Sequence, residues 1–521
     1  MLRKLLSLTL VLLLILVSGS VSAQEPRQGG TLVVAAEIMG DSLDIGFWHG
    51  FGGLHVIDSI GEGLVQADFE TGAAKPGLAE SWTISDDGLV YTFNIRPDMV
   101  FHDGEPVTAQ AVVRSMLRPV STDDPSYIEG MYMYFNQGFD NWESLEALDD
   151  LTVQLTLKQP NATQLLVFTR PDGYIISPKA MDEYGQEVGL NMSMAGPYRV
   201  ERFVPGQEAV LAANEDYWAG RPWLDQIIIR AWPDEASILA ALEAGEVDLT
   251  LYAPFTSVDR ITADEGDDLR IEVGAPLVNL FMPLNVTQAP LDNVLVRRAV
   301  NHAIDRDAII EGGLSGLAQH PASILGPNDL GFDPAGMETS RYDPDLAREL
   351  LAESGLETPI PVTVTFENNR FWPLLAELVA VDLEAVGFDV TLDRLDTGSF
   401  LGKVNEGLAQ ISMTQRSTFL PDPHDKAIIL NTVYGGGQTH HAGLESAAYL
   451  NELVDNGIAV VDPAARAEVY QEIQALALDM MIMAYLGYLQ PPIFVREHVR
   501  GVDTQGTAAG RANFRNVWLD Q

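Results

Sequence analysis

The chain has 521 residues, of which 46% are hydrophobic and 20% are charged, and it contains no cysteine. That length and hydrophobic content suffice for two large cores, and the lack of cysteine excludes a disulfide framework. The formal net charge is −43, from 31 basic and 74 acidic residues. Because phosphate binding needs clustered lysine and arginine, we expect no nucleic-acid partner.

The first residues have the pattern of an export signal. Arg3 and Lys4 form a basic start, residues 5–17 are an apolar run, and the small-residue sequence VSA at 21–23 is typical of a cleavage site. The run is shorter than the roughly 20 apolar residues that span a bilayer, so a membrane anchor is the weaker interpretation. Ser20 stands where a lipoprotein signal would carry cysteine. We therefore expect a cleaved signal peptide and a periplasmic or extracellular protein without a lipid anchor.

The clearest local pattern lies between residues 76 and 116. Tyr91, Phe93 and Ile95 alternate with polar residues, as in a half-buried strand, and the sequence DDG at 86–88 predicts a turn before it. A hairpin is therefore predicted. A second turn follows at residues 102–104, and Thr108 is placed to cap a helix over residues 109–118.

The rest of the chain alternates between strands and helices. Apolar periodicity, glycine and proline predict further strands at residues 31–36, 224–231, 247–251, 361–366, 388–392 and 484–495. The same signals predict helices at residues 54–64, 236–244, 295–310, 372–386, 447–460 and 464–481. Residues 361–392 have the length of a β-α-β unit, for which parallel pairing is expected.

Motifs for catalysis or nucleotide binding are absent from the sequence. The chain has no G-x-S-x-G, H-E-x-x-H, G-x-x-x-x-G-K-[ST] or G-x-G-x-x-G segment. Nucleotide hydrolysis and dinucleotide binding are therefore unsupported, and we expect no cofactor. Carboxylates are abundant enough to imitate the acid pair of a glycosidase, so a secreted hydrolase stays open as the alternative from a different class.

Two groups of residues are candidates for ligand contact. His440 and His441 follow a glycine-rich stretch and are the one place with paired metal-ligand side chains, although ordinary polar loop histidines are the favoured interpretation. Aromatic residues near turns suit a cleft lining or a core, and these are Trp48 with His49, Trp372 and Phe419.

Several segments resemble, in chain order, the signature blocks of the family 5 extracellular solute-binding proteins of ABC transporters, the peptide and nickel binders. Besides residues 76–116 they are GPY at 196–198, NEDYW at 214–218, AGEVD at 244–248, VRRAVNHAIDR at 296–306 and YDP at 342–344. The resemblance extends over nearly the whole chain after residue 29.

The resemblance implies an α/β protein with the two-lobe periplasmic-binding-protein fold, class II type, and an extra subdomain on the first lobe. We expect a signal peptide at residues 1–23, the first lobe at 24–65 and 186–276, the inserted subdomain at 66–185, the second lobe at 277–487 and a return to the first lobe at 488–521. The lobes would close over a ligand and present it to a membrane permease with its ATPase, and the resemblance implies that no reaction is catalysed. A monomer is expected.

One segment departs from the peptide-binding pattern of the family. There an aspartate pairs with the α-ammonium group of the ligand, whereas the matching segment here, TFLPDP at 418–423, has Phe419 in that place and keeps Asp422. An ordinary free-amino peptide pose is therefore in doubt. The candidate ligand contacts are Trp48, His49, Trp372, Arg416, Phe419, Asp422, His440 and His441.

The sequence thus predicts the substrate-binding component of an ABC importer, with an oligopeptide or related compound as ligand. Two alternatives keep that role but change the ligand. An oligosaccharide would use the aromatic residues, and nickel or a metal chelate would use His440 and His441.

Overall fold

The structure is a computed structural model. It describes residues 25–36, 38–47, 50–69, 71–131, 140–232, 234–251, 255–263, 268–418, 420–433, 439–504 and 513–520. The signal peptide expected at residues 1–23 lies outside this described part.

Strands and helices alternate along the described chain. The strands are β1 Thr31–Ala36, β2 Val65–Ala67, β3 Ala74–Pro76, β4 Ala79–Ile84, β5 Val90–Ile95, β6 Trp142–Ala147, β7 Thr152–Leu157, β8 Tyr198–Val204, β9 Glu208–Ala213, β10 Gln226–Ala231, β11 Leu249–Leu251, β12 Leu269–Val273, β13 Val278–Pro283, β14 Ala318–Gln319, β15 Ile360–Glu367, β16 Phe388–Leu395, β17 Ile411–Ser412, β18 Thr414–Ser417, β19 Met483–Leu489, β20 Pro492–Arg496, β21 Val499–Arg500 and β22 Trp518–Leu519. The helices are α1 Gly50–Ile60, α2 Ala109–Leu117, α3 Gln164–Val167, α4 Pro178–Tyr184, α5 Glu235–Ala244, α6 Val258–Ala263, α7 Val294–Ala303, α8 Arg306–Ala308, α9 Gly336–Thr339, α10 Pro344–Glu353, α11 Trp372–Val386, α12 Thr397–Asn405, α13 Pro423–Ala427, α14 Ala447–Ala459 and α15 Pro463–Met480.

The largest sheet combines strands from both ends of the chain. Its order is β12-β20-β11-β1-β10-β9-β8. Strand β1 lies parallel to β10 and β11, whereas β20 runs antiparallel to β11 and β12. The apolar faces of β1 and β10 pack with α1 in a core that contains Leu32, Ile57 and Ile229.

A second α/β region is formed by residues 278–489. It contains the four-stranded sheet β14-β19-β13-β18 and the three-stranded sheet β16-β15-β17. Strands β15 and β16 pair in parallel in the register Ile360↔Phe388, and α11 crosses between them. Gly387 ends α11 with a φ of 117°, which a glycine adopts without strain. The predicted β-α-β unit is confirmed.

The hairpin region forms its own sheet and core. Strands β4-β5-β7-β6 make a four-stranded antiparallel sheet, and Tyr91, Phe93 and Ile95 of β5 are buried beneath α2. Thr108 caps α2 by accepting a hydrogen bond from the Ala111 amide at 3.2 Å. Both the predicted hairpin and the predicted cap are confirmed.

Two short connections join the largest sheet to the sheet that contains β13. The chain leaves β12 and enters β13 through residues 274–277, and it returns from β19 to β20 through residues 490–491. The long strand predicted at residues 484–495 is therefore two strands in two sheets. The boundaries of the predicted lobes stay a prediction.

The helix predicted at residues 295–310 is also divided. Helix α7 ends at Ala303, where Ile304 adopts an extended backbone, and Asp305 caps α8 by accepting from the Ala308 amide at 3.1 Å. A carboxylate that satisfies a free amide at a helix start favours a new helix over a continuous one.

Candidate functional site

The DP segment after β18 is held by a buried ion pair. Both Asp422 oxygens accept from Arg466 of α15, each at 2.7 Å, and the two side chains are 7% exposed. Asp422 also accepts from the His424 amide at 2.8 Å. Asp422 is therefore engaged within the protein and positions the segment, which corrects the expectation that it contacts a ligand directly.

Arg416 on β18 is the candidate cation of this region. Its Nε and Nη2 donate to the Asp425 carbonyl oxygen at 3.1 and 2.8 Å, and Nη2 lies 3.3 Å from Asp425 Oδ1. The Arg416 side chain stays 20% exposed. Among these contacts Nη1 is the donor that is not used, so a planar guanidinium held on one side can still offer a hydrogen bond to an anionic group.

The segment between Arg416 and Asp422 lies against the connection from the largest sheet. Thr418 donates to the Leu277 carbonyl oxygen through its amide at 3.0 Å and its hydroxyl at 2.8 Å. Leu277 packs with Ala275 and Phe69. On the same side, a Cβ added to Gly72 would lie 3.2 Å from the Pro421 carbonyl oxygen. The loop between β2 and β3 therefore touches the DP segment across the two regions.

A second buried ion pair stands beside the turn that precedes α1. Asp44 receives Nη1 and Nη2 of Arg118 at 2.9 and 2.6 Å, and both side chains are 2% exposed. Asp44 also accepts from the Gly46 amide at 3.0 Å. The turn that leads to residues 48 and 49 is therefore fixed from a distant helix end.

Three of the predicted contact residues, Trp48, His49 and Phe419, lie outside the described residues, and their role stays a prediction. Trp372 does not line an open surface. It is 2% exposed and packs in the core of the second region with Phe371, at a distance of 4.9 Å between ring centroids. At the first turn of α11 its ring faces the apolar interior, which corrects the expectation of a cleft position.

The two histidines differ in their surroundings. His440 is half-buried, and its Nε2 lies 2.8 Å from the Val404 carbonyl oxygen. His441 is fully buried, and burial lowers the pKa of its imidazole to about 4. A buried His441 is not open to a ligand, so of the pair only His440 stays a candidate contact. Among the described residues, no group of three or more histidine, aspartate or glutamate side chains could hold a metal ion.

A polar cavity of about 240 Å³ lies between the β2–β3 hairpin and the C-terminal segment. Its wall includes Glu62, which accepts from Trp218 Nε1 at 2.7 Å and from the side-chain Nε2 of Gln66. Burial raises the pKa of the Glu62 carboxyl to about 7, although both hydrogen bonds act against that rise. Arg515 lines the same cavity.

Comparison with known proteins assigns these features to a family. The profile described as bacterial extracellular solute-binding proteins, family 5 middle part, matches residues 73–438. The chain belongs to this family. Family 5 proteins are the solute-binding components of ABC transporters and not a class of enzymes.

Individual family members show how far the likeness extends. The chain is 30% identical over 405 residues to the glutathione-binding protein GsiB of Pectobacterium atrosepticum, covering 76% of this chain and 77% of the relative. The solved structure of the periplasmic binding protein DppA from Helicobacter pylori, in complex with the peptide STSA, is 25% identical with a TM-score of 0.80 and covers 95% of this chain and 99% of that one. NikA of Brucella suis in complex with Fe(III)-EDTA, at 22% identity and 94% and 100% coverage, shares the fold with a TM-score of 0.83.

These structures confirm the predicted α/β two-lobe fold. Gly72, in the loop between β2 and β3, lies against Pro421 of the DP segment, and Phe69 packs on the connection between the largest sheet and the sheet of β13. The two buried arginines of the site, Arg118 and Arg466, were not found by sequence reasoning. No motif marks them, because each pairs with an aspartate 74 or 44 residues away.

Within the described residues, no helix is long and apolar enough to cross a membrane.

Proposed function

We propose that this family 5 solute-binding protein captures a short peptide or peptide-like compound that carries a free carboxylate. The GsiB relative is named for glutathione, and the DppA structure holds a peptide. Both kinds of compound end in carboxylate groups. The observation that carries the proposal is Arg416, a partly exposed guanidinium held at the DP segment with Nη1 left over.

The carboxylate is the group expected to anchor the ligand. Phe419 takes the place of the aspartate that would hold an ammonium group, and a phenyl ring accepts from an ammonium only weakly. A guanidinium binds a carboxylate by charge-assisted hydrogen bonds with defined geometry. We expect recognition to depend on the carboxyl end of the ligand more than on its amino end.

In this proposed role the protein binds its ligand without changing it chemically. It is exported by its signal peptide, works as a monomer without a lipid anchor and without nucleic acid, and delivers the compound to a permease with its ATPase. Closure of the lobes would remove the ligand from water, and the DP segment, fixed by Arg466, would keep its place during closure.

Calorimetric titration tests the proposal. The ligands are glutathione, a free dipeptide, its N-acetyl form, its C-terminal amide, an oligosaccharide and a nickel chelate. We expect the N-acetyl peptide to bind as well as the free one, and the amide at least about tenfold more weakly, because a hydrogen bond to a charged group contributes about 1.5–3 kcal/mol. The bound compound should be recovered unchanged after release.

Arg416→Met should bind the free dipeptide as weakly as the parent protein binds its C-terminal amide. Arg348→Met is the matched control. Arg348 is an exposed arginine that pairs with Asp345 on α10, away from this segment. Full binding of the amide by the unmodified protein would refute the role of Arg416. Binding of the oligosaccharide or the chelate alone would refute the ligand class.

A further inference from the structure

Helix α11 carries hydrophobic side chains on the side that faces away from its core. Leu374 is 37% exposed and Val381 is 65% exposed. Among the described helices, α11 is the only one with two exposed large hydrophobic side chains. Exposed hydrophobic residues are ordinary when they are scattered singly, so their repetition along one helix calls for an explanation.

These residues follow the repeat of a helix that packs against another helix. Leu374, Leu378, Val381 and Ala385 succeed one another at intervals of four, three and four residues, so they form one line along α11. Leu378 is half-buried, because a Cβ added to Gly313 would lie 3.4 Å from its Cδ1, and Ala385 is exposed. We call these four residues the α11 stripe.

The fold does not need the α11 stripe for its own core. The opposite face of the helix supplies that core through Leu375, Val379 and Leu383, each of which is 0% exposed. An ordinary surface helix is polar on the side away from the core. The α11 stripe is therefore an apolar face without a described partner inside the chain.

Acidic residues lie on both sides of the α11 stripe. Glu377 and Glu384 are exposed along one side. Asp382 lies on the other side, half-buried, where its carboxylate accepts from the Asp305 amide at 2.8 Å. Helix α11 contains no lysine or arginine. The stripe is therefore an apolar seam with negative charge beside it.

The charges decide which kind of helix fits this seam. In paired helices the residues beside the seam determine the choice of partner. A second copy of α11 would place acidic residues against acidic residues, which repel each other. A helix with lysine or arginine beside its seam would instead form ion pairs with Glu377 and Glu384. Charge complementarity therefore favours a basic partner over a second copy of this chain.

We propose that the α11 stripe is a docking surface for a helix of a partner protein, with an apolar seam of its own and lysine or arginine beside that seam. The two seams pack together, and the basic side chains pair with Glu377 and Glu384. The stripe is about 16 Å long, so the contact is small and the association is weak and reversible. It does not include Arg416, and it is independent of the ligand proposed for the cleft.

Fluorescence anisotropy with a labelled helical peptide tests the surface on the full chain. The peptide has about three heptads, with leucine at the seam positions a and d and lysine at positions e and g, where the lysines oppose its self-association. We expect a Kd below about 1 mM at physiological ionic strength, where a Debye length of about 8 Å weakens unspecific attraction to the acidic chain.

Val381→Lys should weaken peptide binding at least about tenfold, because it places a positive charge in the seam. Val381 is 65% exposed, so the melting temperature should be unchanged. The matched control is Leu401→Lys, which adds the same charge at a single exposed leucine of α12. It should bind the peptide normally.

A second pair of variants tests the charges beside the seam. Glu377→Gln/Glu384→Gln should weaken binding at least about fivefold, because both ion pairs are lost. Glu452→Gln/Glu468→Gln removes the same charge from exposed positions of α14 and α15 and should leave binding unchanged.

Four results would overturn the proposal. The first is the absence of peptide binding up to about 1 mM. The second is an equal loss in Leu401→Lys and Val381→Lys, and the third is equal binding of a peptide of the same composition with scrambled leucines. Either would show attraction by charge alone. The fourth is a dimer of the chain in sedimentation velocity that Val381→Lys abolishes, because the occupant of the stripe would then be a second copy.

Discussion

Two buried Arg–Asp pairs, Arg118–Asp44 and Arg466–Asp422, hold a loop in place in the same way in two parts of the molecule. In each, a guanidinium makes paired hydrogen bonds to an aspartate, and the aspartate also accepts from the amide two residues further on. Each pair stands within a few residues of a segment expected to face the ligand, at 48–49 and at 419. Each pair therefore fixes described residues next to one of these predicted contact segments.

The pairs differ in what surrounds the arginine. Arg118 also donates to the Ser126 hydroxyl and carbonyl oxygen, and its side chain is 2% exposed. Arg466 binds the Gly457 carbonyl oxygen and the Tyr470 hydroxyl, lies 5.2 Å from the centre of that ring, and is 7% exposed. The first pair is tied to a loop and the second to two long helices. The deeper pair should be the more costly one to break.

Arg118→Met tests the deeper pair and should have the largest effect. It leaves the Asp44 carboxylate buried without its cation, and removal of one partner of a buried pair costs about 3–5 kcal/mol. Urea denaturation should show that loss in the free energy of unfolding. The double variant Arg118→Met/Asp44→Asn should recover part of it, and a loss below about 1 kcal/mol in the single variant would show that the pair is not structural.

Arg466→Met should cost somewhat less, about 3 kcal/mol, because the pair is less deeply buried. It should also weaken peptide binding, since Asp422 then no longer fixes the segment next to Arg416. The control is Arg348→Met, which removes an exposed ion pair and should leave stability and binding unchanged. A greater loss of stability for Arg466→Met than for Arg118→Met would reverse the comparison.

Glu62 contrasts with Asp44 and Asp422, because its buried carboxyl group accepts hydrogen bonds from Trp218 and Gln66 in place of a guanidinium. Its pKa is raised from 4.5 in the unfolded chain to about 7 by burial. The folded protein therefore holds a proton that the unfolded chain releases, and stability should fall by roughly 2–3 kcal/mol as the pH rises from about 4.5 to 7. In Glu62→Gln this part of the pH dependence should be lost. Parallel stability curves for variant and parent protein between these pH values would contradict the raised pKa.

The sequence predicted the elements whose signal is local. The β15-α11-β16 crossover, the β4–β5 hairpin and the Thr108 cap follow from apolar periodicity and turn residues close to one another in the chain. Breaks inside an apolar run were harder to predict. Residues 484–495 have an apolar strand pattern, and within it only the two prolines at 491 and 492 mark locally the point where the chain changes sheet.

Family resemblance predicted which segments belong to the site. It predicted poorly which side chains in them contact one another. The DP segment was found, but the partner of Asp422 was not, because an arginine on an amphipathic helix looks like any solvated basic residue until the fold is known. Trp372 shows the opposite error. An aromatic residue beside polar ones suits a cleft or a core, and only the packing against Phe371 decides between them.

The position of strand β20 determines which sheet can finish folding first during synthesis. It lies between β12 and β11 in the interior of the largest sheet, yet it is made of residues 492–496, near the end of synthesis. Until those residues leave the ribosome, β12 has no neighbour and β11 keeps an open edge. The region of residues 278–489 has all its strands by residue 489, whereas the region of the largest sheet, begun at residue 31, is finished last. Its sheet closes by contacts of very long sequence separation, which is the slow kind of folding step.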